Sequence, residues 1–321
     1  MSDIPQARFA VIGAGIAGST FAYYAQLETH PCIVLDKSRG TGGRAGSKRL
    51  PHGSVDLGAS LISFSDESIS DLREHLLQEN IIARWQSAYV GVPRMSAITR
   101  FLLQDIPLYT DTKIHHLERR QDQWLLRDER YQAVCLADTL IIAAPATQAA
   151  MLLATIPNAN SLLQHANQAI SQTRPQWALW VTTSKTQSSA LMTCNHPILE
   201  TIIKDSDKPG RHTDEFDTWV IQATSQWSQD NIDTPKAEVL AHLIQAFEQE
   251  VGIAVLNTGE PHRWLLGRQA MALSSKPYLW DDTRKIGVIG DWLCQGDAEG
   301  AMLSAKHAFE TISKAYPFDQ V

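Results

Sequence analysis

Val11-Ile12-Gly13-Ala14-Gly15-Ile16-Ala17-Gly18 is the stretch that decides the fold. Its glycines fit G-x-G-x-x-G, and the flanking residues supply the context that motif needs. Phe9 to Ile12 is an apolar run of strand length, and Ser19 to Leu27, rich in Ala, Tyr and Leu, suits a helix. His30-Pro31 breaks that helix, and Cys32 to Leu35 is a second buried run. Together these make a βαβ unit of about thirty residues, the size of a mononucleotide-binding half. The first glycine allows a tight turn, the second lets the backbone approach a pyrophosphate, and the third lets helix and strand pack closely. A diphosphate there faces the N–H groups at the positive end of the helix, so Ala14, Ile16 and Ala17 join Gly13, Gly15 and Gly18 as expected cofactor contacts. Asp36 ends the second run about twenty residues on, where a carboxylate accepts from ribose hydroxyls.

The loop alone says only dinucleotide. Asp36-Lys37-Ser38-Arg39-Gly40-Thr41-Gly42-Gly43-Arg44 adds a second glycine loop directly after the ribose acid. Gly42 and Gly43 allow close backbone approach, and Arg44 can offer a fixed fork of donors to the phosphates, with Lys37 and Arg39 as further candidates. Asp56-Leu57-Gly58-Ala59 is a third glycine turn. Near the other end of the chain, Gly290-Asp291 closes a strand, and an acid there can hold a ribityl chain. Glu299-Gly300-Ala301 opens a helix whose N-terminus, aimed at a flavin's pyrimidine carbonyl, would stabilise negative charge on the reduced ring. Ile114 and Ala144 complete the expected contacts. These features narrow the dinucleotide to FAD.

The chain has 321 residues, which favours two interlocked domains over one. Hydrophobic content of 44% and charged content of 20% are those of a folded soluble protein, and the formal charge of −7 argues against nucleic-acid binding. Cys32, Cys135, Cys194 and Cys294 are scattered, with no zinc-ligand spacing, and read as reduced thiols. His115-His116 is no metal site, because adjacent strand residues face opposite ways. The apolar stretch Thr139 to Ile156 is interrupted by Pro145, Thr147 and Gln148 and suits a strand followed by a helix rather than a membrane span. Met1 to Arg8 lacks the pattern of a signal peptide, so a cytoplasmic location is the expectation.

Further along, Leu72 to Leu77 has helical spacing, and Lys113 to Leu117 and Trp124 to Arg127 suit strands flanking the polar turn Arg119 to Gln123. Trp177 to Thr182 and Thr218 to Ala223 suit strands of another sheet, with Lys204 to Phe216 as a polar loop between strands. Glu238 to Val251 is a periodic helix, Ile286 to Ile289 a last buried strand and Gly300 to Ala315 a last helix. The chain is therefore expected to leave the nucleotide domain, build a second one and return. The FAD-binding domain is assigned to 1–63, 109–150 and 281–321, and the substrate domain to 64–108 and 151–280.

At these residues the chain resembles the flavin amine oxidase superfamily and, within it, the renalase group. The resemblance runs through VIGAGIAGS at Val11, DKSRGTGGR at Asp36, DLGA at Asp56, YVGVPRMSA at Tyr89, IIAAPATQAAMLL at Ile141, PQWALWV at Pro175, WVIQATSQWS at Trp219, HRWLLGR at His262 and GDWLCQGDAEGAMLS at Gly290. It implies an α/β fold like p-hydroxybenzoate hydroxylase, with a Rossmann-type FAD-binding domain, a second mixed-sheet substrate domain and non-covalent FAD. It also implies oxidation of isomeric dihydro-NAD(P), reduced at the nicotinamide 2- or 6-position, to NAD(P)+, with O2 as electron acceptor reduced to hydrogen peroxide. Two stretches depart from the group's pattern. Ser60-Leu61-Ile62-Ser63 stands where an aromatic and an amide are usual, and Leu266-Gly267-Arg268-Gln269 replaces a common Tyr-Ala-Arg-Pro.

Hydride transfer to a flavin asks mainly for positioning, dryness and electrostatics, so no catalytic triad is expected. Trp264 is either a wall of the substrate cavity or a core tryptophan. Arg268 is either a partner for a substrate phosphate or the flavin, or a surface arginine. His262 is either a proton donor or a structural histidine. Tyr89, Pro93 and Met95 lie in a family-like loop, either approaching the flavin or, for the apolar ones, packing in the core, and Trp219 and Trp227 are expected as strand or strand-end aromatics in the core. Cys294 is in the region where some amine oxidases attach flavin covalently, which the renalase resemblance disfavours. Leu61 and Ile62 keep a second reading open, an amine oxidase or desaturase of a small apolar substrate, and a non-catalytic FAD-binding protein is a third.

Overall fold

Strand Gln6–Ile12 is apolar on both faces because both faces are covered. The computed structural model describes residues 4–269 and 276–315, so the first residues of the Met1 to Arg8 stretch lie outside the described residues. Phe9 and Val11 face one core with the helices Ile16–Leu27 and Ala298–Ala315, while Ala10 and Ile12 face another with Trp124 and the helix Ala146–Leu153. This is the period-2 alternation of a strand between two layers. The strand sits inside an eight-stranded sheet in the order Leu279–Asp281, Ile286–Val288, Ala133–Ile142, Gln6–Ile12, Cys32–Leu35, Leu108–Tyr109. The neighbours from Ile286–Val288 to Leu108–Tyr109 pair in parallel. Leu279–Asp281 and the hairpin Ile114–Arg120/Gln123–Asp128 add antiparallel edges, so this sheet is mixed.

A second, six-stranded sheet is built by Leu191–Thr193, Leu199–Lys204, Asp217–Ala223, Thr173–Thr183, Asn257–Thr258 and His262–Gln269. Every pairing in it is antiparallel. Trp177, Leu179, Val181, Trp219 and Ile221 point under the helix Lys236–Val251 and pack on Val239, Leu243 and Phe247. Ala178, Trp180, Ile203 and Val220 point the other way and join the core of the first sheet's helical layer. The second sheet thus lies with one face on the helical layer of the first. The chain enters it after Ala133–Ile142 and comes back to the first sheet with Leu279–Asp281. The expected fold class, a Rossmann-type unit with a second sheet domain, is the one observed, and the mixing of strand directions falls in the first sheet.

Two local expectations are corrected. His115 and His116 do not face opposite ways: the register slips between Ile114 and His116, and their ring nitrogens come within 3.2 Å. An extra residue in a strand re-aims its side chain, which the alternation rule does not anticipate. No group of three metal-ligating side chains forms there or elsewhere among the described residues. Trp227 stands in a short helix, Ser225–Asp230, capped by Thr224 Oγ1, rather than at a strand end. The polar stretch 204–216 is a connection between strands, as expected, yet Asp205, Ser206 and Lys208 within it are buried. No helix among the described residues is long and apolar enough to cross a membrane.

Candidate dinucleotide and active site

The three motif glycines have different reasons to be glycine. Gly13 has φ +114°, and a Cβ there would run into the Ala143 carbonyl; a Cβ at Gly18 would overlap the Gly13 carbonyl. Both are required by the chain's own packing. Gly15 lies at φ −76°, which any residue adopts, and no heavy atom stands within 4 Å of where its Cβ would be. Nothing in the protein asks for glycine at that place. A pyrophosphate brought onto the backbone does, so this cradle fits the group. The helix Ile16–Leu27 starts there with no side-chain cap and no acid in its first turn, which leaves its positive end unneutralised.

Asp36 takes the Ala14 N–H on Oδ2 and the Ser38 N–H on Oδ1, both at 2.7 Å. Those bonds fix the carboxylate and leave lone pairs for hydroxyl donors. The Gly42 N–H donates to the Ala14 carbonyl at 2.8 Å, so the second glycine loop is held against the first. Lys37 and Arg39 are exposed beside it. Thr112 donates its N–H to the Asp36 carbonyl, which leads the chain past Asp36 to the buried Ile114. The Ala144 carbonyl is occupied by Trp292 Nε1 at 3.0 Å.

Four expected contacts are engaged by the protein itself. Arg44 sends both prongs of its fork to Asp291, at 2.8 and 2.5 Å, rather than leaving them for phosphate. Asp291 is correspondingly turned to Arg44 rather than free for a ribityl chain. Its side chain is only 6% exposed, and a buried carboxylate needs such a bidentate partner. Asp56 is buried in an ion cluster: Oδ2 lies 2.6 Å from Arg211 and 3.6 Å from Lys208, and Oδ1 accepts from Ser47 Oγ at 2.5 Å and the Met95 N–H at 3.2 Å. Asp205 completes the cluster, 2.8 Å from both Lys208 and Arg211. Burial alone would raise Asp205, but those two cations hold it below its ordinary 3.8. Glu299 accepts from Ser63, from Ser65 at 3.1 Å and from the Asp66 N–H at 2.7 Å. In its helix, the N–H groups of Gly300 and Ala301 bond back to Asp297. Sequence spacing brought these acids to the right region, but only tertiary packing shows that internal donors claim them.

The turn Asp56–Ala59 is where the two sheets meet. Ala59 donates its N–H to the Arg44 carbonyl at 3.0 Å. The Leu57 carbonyl accepts from Trp264 Nε1 at 3.1 Å, and the Gly58 carbonyl from Gln222 Nε2 at 2.6 Å. A Cβ at Gly58 would overlap the Arg44 carbonyl and press to 3.2 Å from the Trp264 ring. His262 sits edge-on to Trp264, with centroids 4.2 Å apart. Burial, and then the charges of Lys48 and Lys236, push His262 below its ordinary 6.5. Arg268 reaches Gln222 Oε1 at 3.4 Å and Glu200 Oε1 at 3.3 Å, and Gln176 donates to Glu200 Oε2 at 3.1 Å. The structure thus brings Trp264, His262 and Arg268 to one region and adds Gln176, Glu200 and Gln222, which sequence reasoning missed. A single glutamine inside otherwise apolar strands, as in PQWALWV and WVIQATS, is the signal that could have found two of them.

In the unusual stretch Ser60–Ser63, Ser60 Oγ bonds to the Asp56 carbonyl at 2.8 Å and Ile62 pairs with Tyr89 through two 2.9 Å backbone bonds. Met95 is fully buried, and the Pro93 carbonyl accepts from Arg211 Nε at 2.7 Å. These residues support the turn.

Residues 11–76 match the family of NAD(P)-binding Rossmann-like domains. The whole chain is similar in structure to a protein assigned as a protoporphyrinogen oxidase from Exiguobacterium sp. 255-15, with a TM-score of 0.75 at 11% identity over 98% of this chain and 100% of that one. It is similar to a putrescine oxidase variant redesigned in cofactor binding (TM-score 0.70, 10% identity, 97% of this chain, 100% of that one). A cyclohexylamine oxidase from Brevibacterium oxydans IH-35A matches with a TM-score of 0.68 at 11% identity, covering 97% of this chain and 99% of that one. Likeness at such identities is likeness of fold: this chain has a Rossmann-like unit with a second sheet laid against it, the architecture of these oxidases.

Proposed function

We propose that the chain is an FAD-dependent oxidoreductase of the flavin amine oxidase superfamily, and within it a renalase-like oxidase. Its substrates are isomeric 2- or 6-dihydro forms of NAD(P), its product is NAD(P)+, and O2 is its electron acceptor, reduced to hydrogen peroxide. The backbone of Gly13–Gly18, Asp36 and the loop at Gly42–Gly43 would hold FAD, within a unit spanning 1–63, 109–150 and 281–321. When bound, the flavin supplies the hydride acceptor and the route for two electrons to O2.

The observation that carries this reading is the set of groups gathered over the Asp56–Ala59 turn. Trp264, Gln222, Arg268 and Glu200 would orient a ring and its polar substituents, and His262 stands edge-on against Trp264. A substrate that is already a dihydronicotinamide needs that orientation and no proton abstraction. Non-covalent attachment fits Cys294, where burial raises the thiol against the lowering pull of the Gln295 backbone N–H, and the carboxylates of Asp297, Asp66 and Glu299 add to the rise. The test is anaerobic bleaching of the flavin by borohydride-reduced NAD mixtures. Bleaching by these and not by putrescine or cyclohexylamine supports the reading. Bleaching by the amines alone would replace it with amine oxidation, for which the apolar Leu61 and Ile62 speak, and bleaching by neither would leave a desaturase or a non-catalytic FAD-binding protein.

A further inference from the structure

We propose that Glu200 and Arg268, backed by Gln176 and Gln222, form a recognition site for a primary carboxamide above the Asp56–Ala59 turn. The inference rests on the reading that the substrate is a dihydronicotinamide, whose ring carries that group.

Two irregularities in the second sheet build the site. The register of Leu199–Lys204 on Asp217–Ala223 slips between Leu199 and Thr201, which makes Glu200 the extra residue. The register of Thr173–Thr183 on His262–Gln269 slips between Arg174 and Gln176. Bulges turn side chains out of strict alternation and gather at functional sites. Here they border four polar side chains that converge on one place: Glu200 and Arg268 stand 3.3 Å apart, joined to Gln176 and Gln222.

The burial pattern separates the supports from the recognising pair. Gln176 and Gln222 are 3% and 5% exposed, and each is anchored to a backbone carbonyl, Ala223 and Gly58 respectively. The side chains of Glu200 and Arg268 are 37% and 39% exposed, so a ligand can reach both. An ion pair that open adds little to stability. Both contacts of the guanidinium are long and made by one terminal nitrogen, so the open side chain keeps donor capacity. Each Glu200 oxygen has one internal partner and retains a lone pair.

An anionic phosphate on this pair would face the Glu200 carboxylate, and an ammonium would face the guanidinium. A neutral carboxamide suits both: its carbonyl accepts from Arg268 and its NH2 donates to Glu200. This assigns Arg268 to the amide of the ring rather than to a substrate phosphate.

The experiment compares binding of NAD+ and of 3-acetylpyridine adenine dinucleotide, whose methyl replaces the amide NH2, to the FAD-loaded protein by calorimetry and by the flavin absorbance shift. The wild type is expected to prefer NAD+ by about tenfold or more, the size of a hydrogen bond to a charged acceptor. Glu200→Met is expected to bring the ratio close to unity. Arg268→Met is expected to weaken both ligands alike, because both keep the carbonyl. A wild type that does not discriminate, or a Glu200→Met variant that keeps the full preference, overturns the proposal. Discrimination without bleaching by dihydronicotinamides would sink the oxidase reading and leave the pair standing. Bleaching without discrimination would do the reverse, and the absence of both would sink both.

Discussion

The loop Gly13–Gly18 and the turn Asp56–Ser60 both offer backbone at a glycine, yet they are held in place by different means. The loop's partners are near it in the βαβ unit or on the adjoining strand: Leu35, Asp36, Gly42 and Ala143. The turn's partners are Trp264, Gln222, Lys208 and Arg211, brought from the second sheet and its connections. A parallel strand followed by a helix makes the first site by itself, because free N–H groups converge wherever that geometry occurs. The second exists only once two sheets have docked.

The largest way to break this contrast lies in the ion cluster. Lys208→Met or Arg211→Met leaves Asp56 and Asp205 buried with too few cations, and about 3–5 kcal/mol of stability should be lost. Thermal unfolding checks this; a variant within about 1 kcal/mol of wild type would show that the cluster does not hold the turn.

The next comparison sets glycine against glycine. Gly13→Ala forces an L residue to φ +114° against the Ala143 carbonyl and should cost about 2–4 kcal/mol. Gly15→Ala has open space and an ordinary φ, so its unfolding midpoint should stay within about 2 °C of wild type while bound flavin falls about tenfold or more. Flavin content measured by absorbance against protein decides the matter. Full flavin occupancy in Gly15→Ala would mean that no pyrophosphate lies on that backbone.

The smallest effect is one of pH. His30 packs between Phe9 and Phe309, and burial, then the charge of Arg8, lower it from 6.5 against the opposing pull of Glu28. The unfolded chain therefore binds a proton more readily than the folded one. Stability from His30 is full above 6.5 and declines as pH falls from there towards the lowered folded value. His262, lowered for the same first reason, acts in the same direction. His30→Phe should flatten part of the decline in unfolding midpoint between about pH 7.5 and about pH 5.5, and an unchanged slope would acquit His30.

The candidate site was legible in proportion to how local it is. The glycine loop, Asp36 and the second loop at Gly42–Gly43 could be found because turn geometry and helix ends are written in consecutive residues. Arg44, Asp56, Asp291 and Glu299 were legible as charged residues beside the glycine turns, but not with the internal partners they take, since a charged group takes the partner that desolvation forces on it. Arg44 and Asp291 are 247 positions apart, and no spacing rule pairs them. Glu200, Gln176 and the His115–His116 contact escaped because bulges interrupt the two-residue period on which strand reading depends.

By itself the sequence determined the βαβ start, the places where backbone can approach a dinucleotide, and the alternation of apolar residues that buries Gln6–Ile12 between two layers. These follow from sterics and from periods of two and 3.6 residues, which act over a few neighbours at a time. The tertiary structure decided which acids remain for a ligand and which are neutralised within the fold. It also decided that a carboxylate and a guanidinium from two strands of the second sheet stand side by side over the Asp56–Ala59 turn. Both outcomes depend on which groups lose water together when the sheets pack, and burial of that kind is a property of the assembled chain.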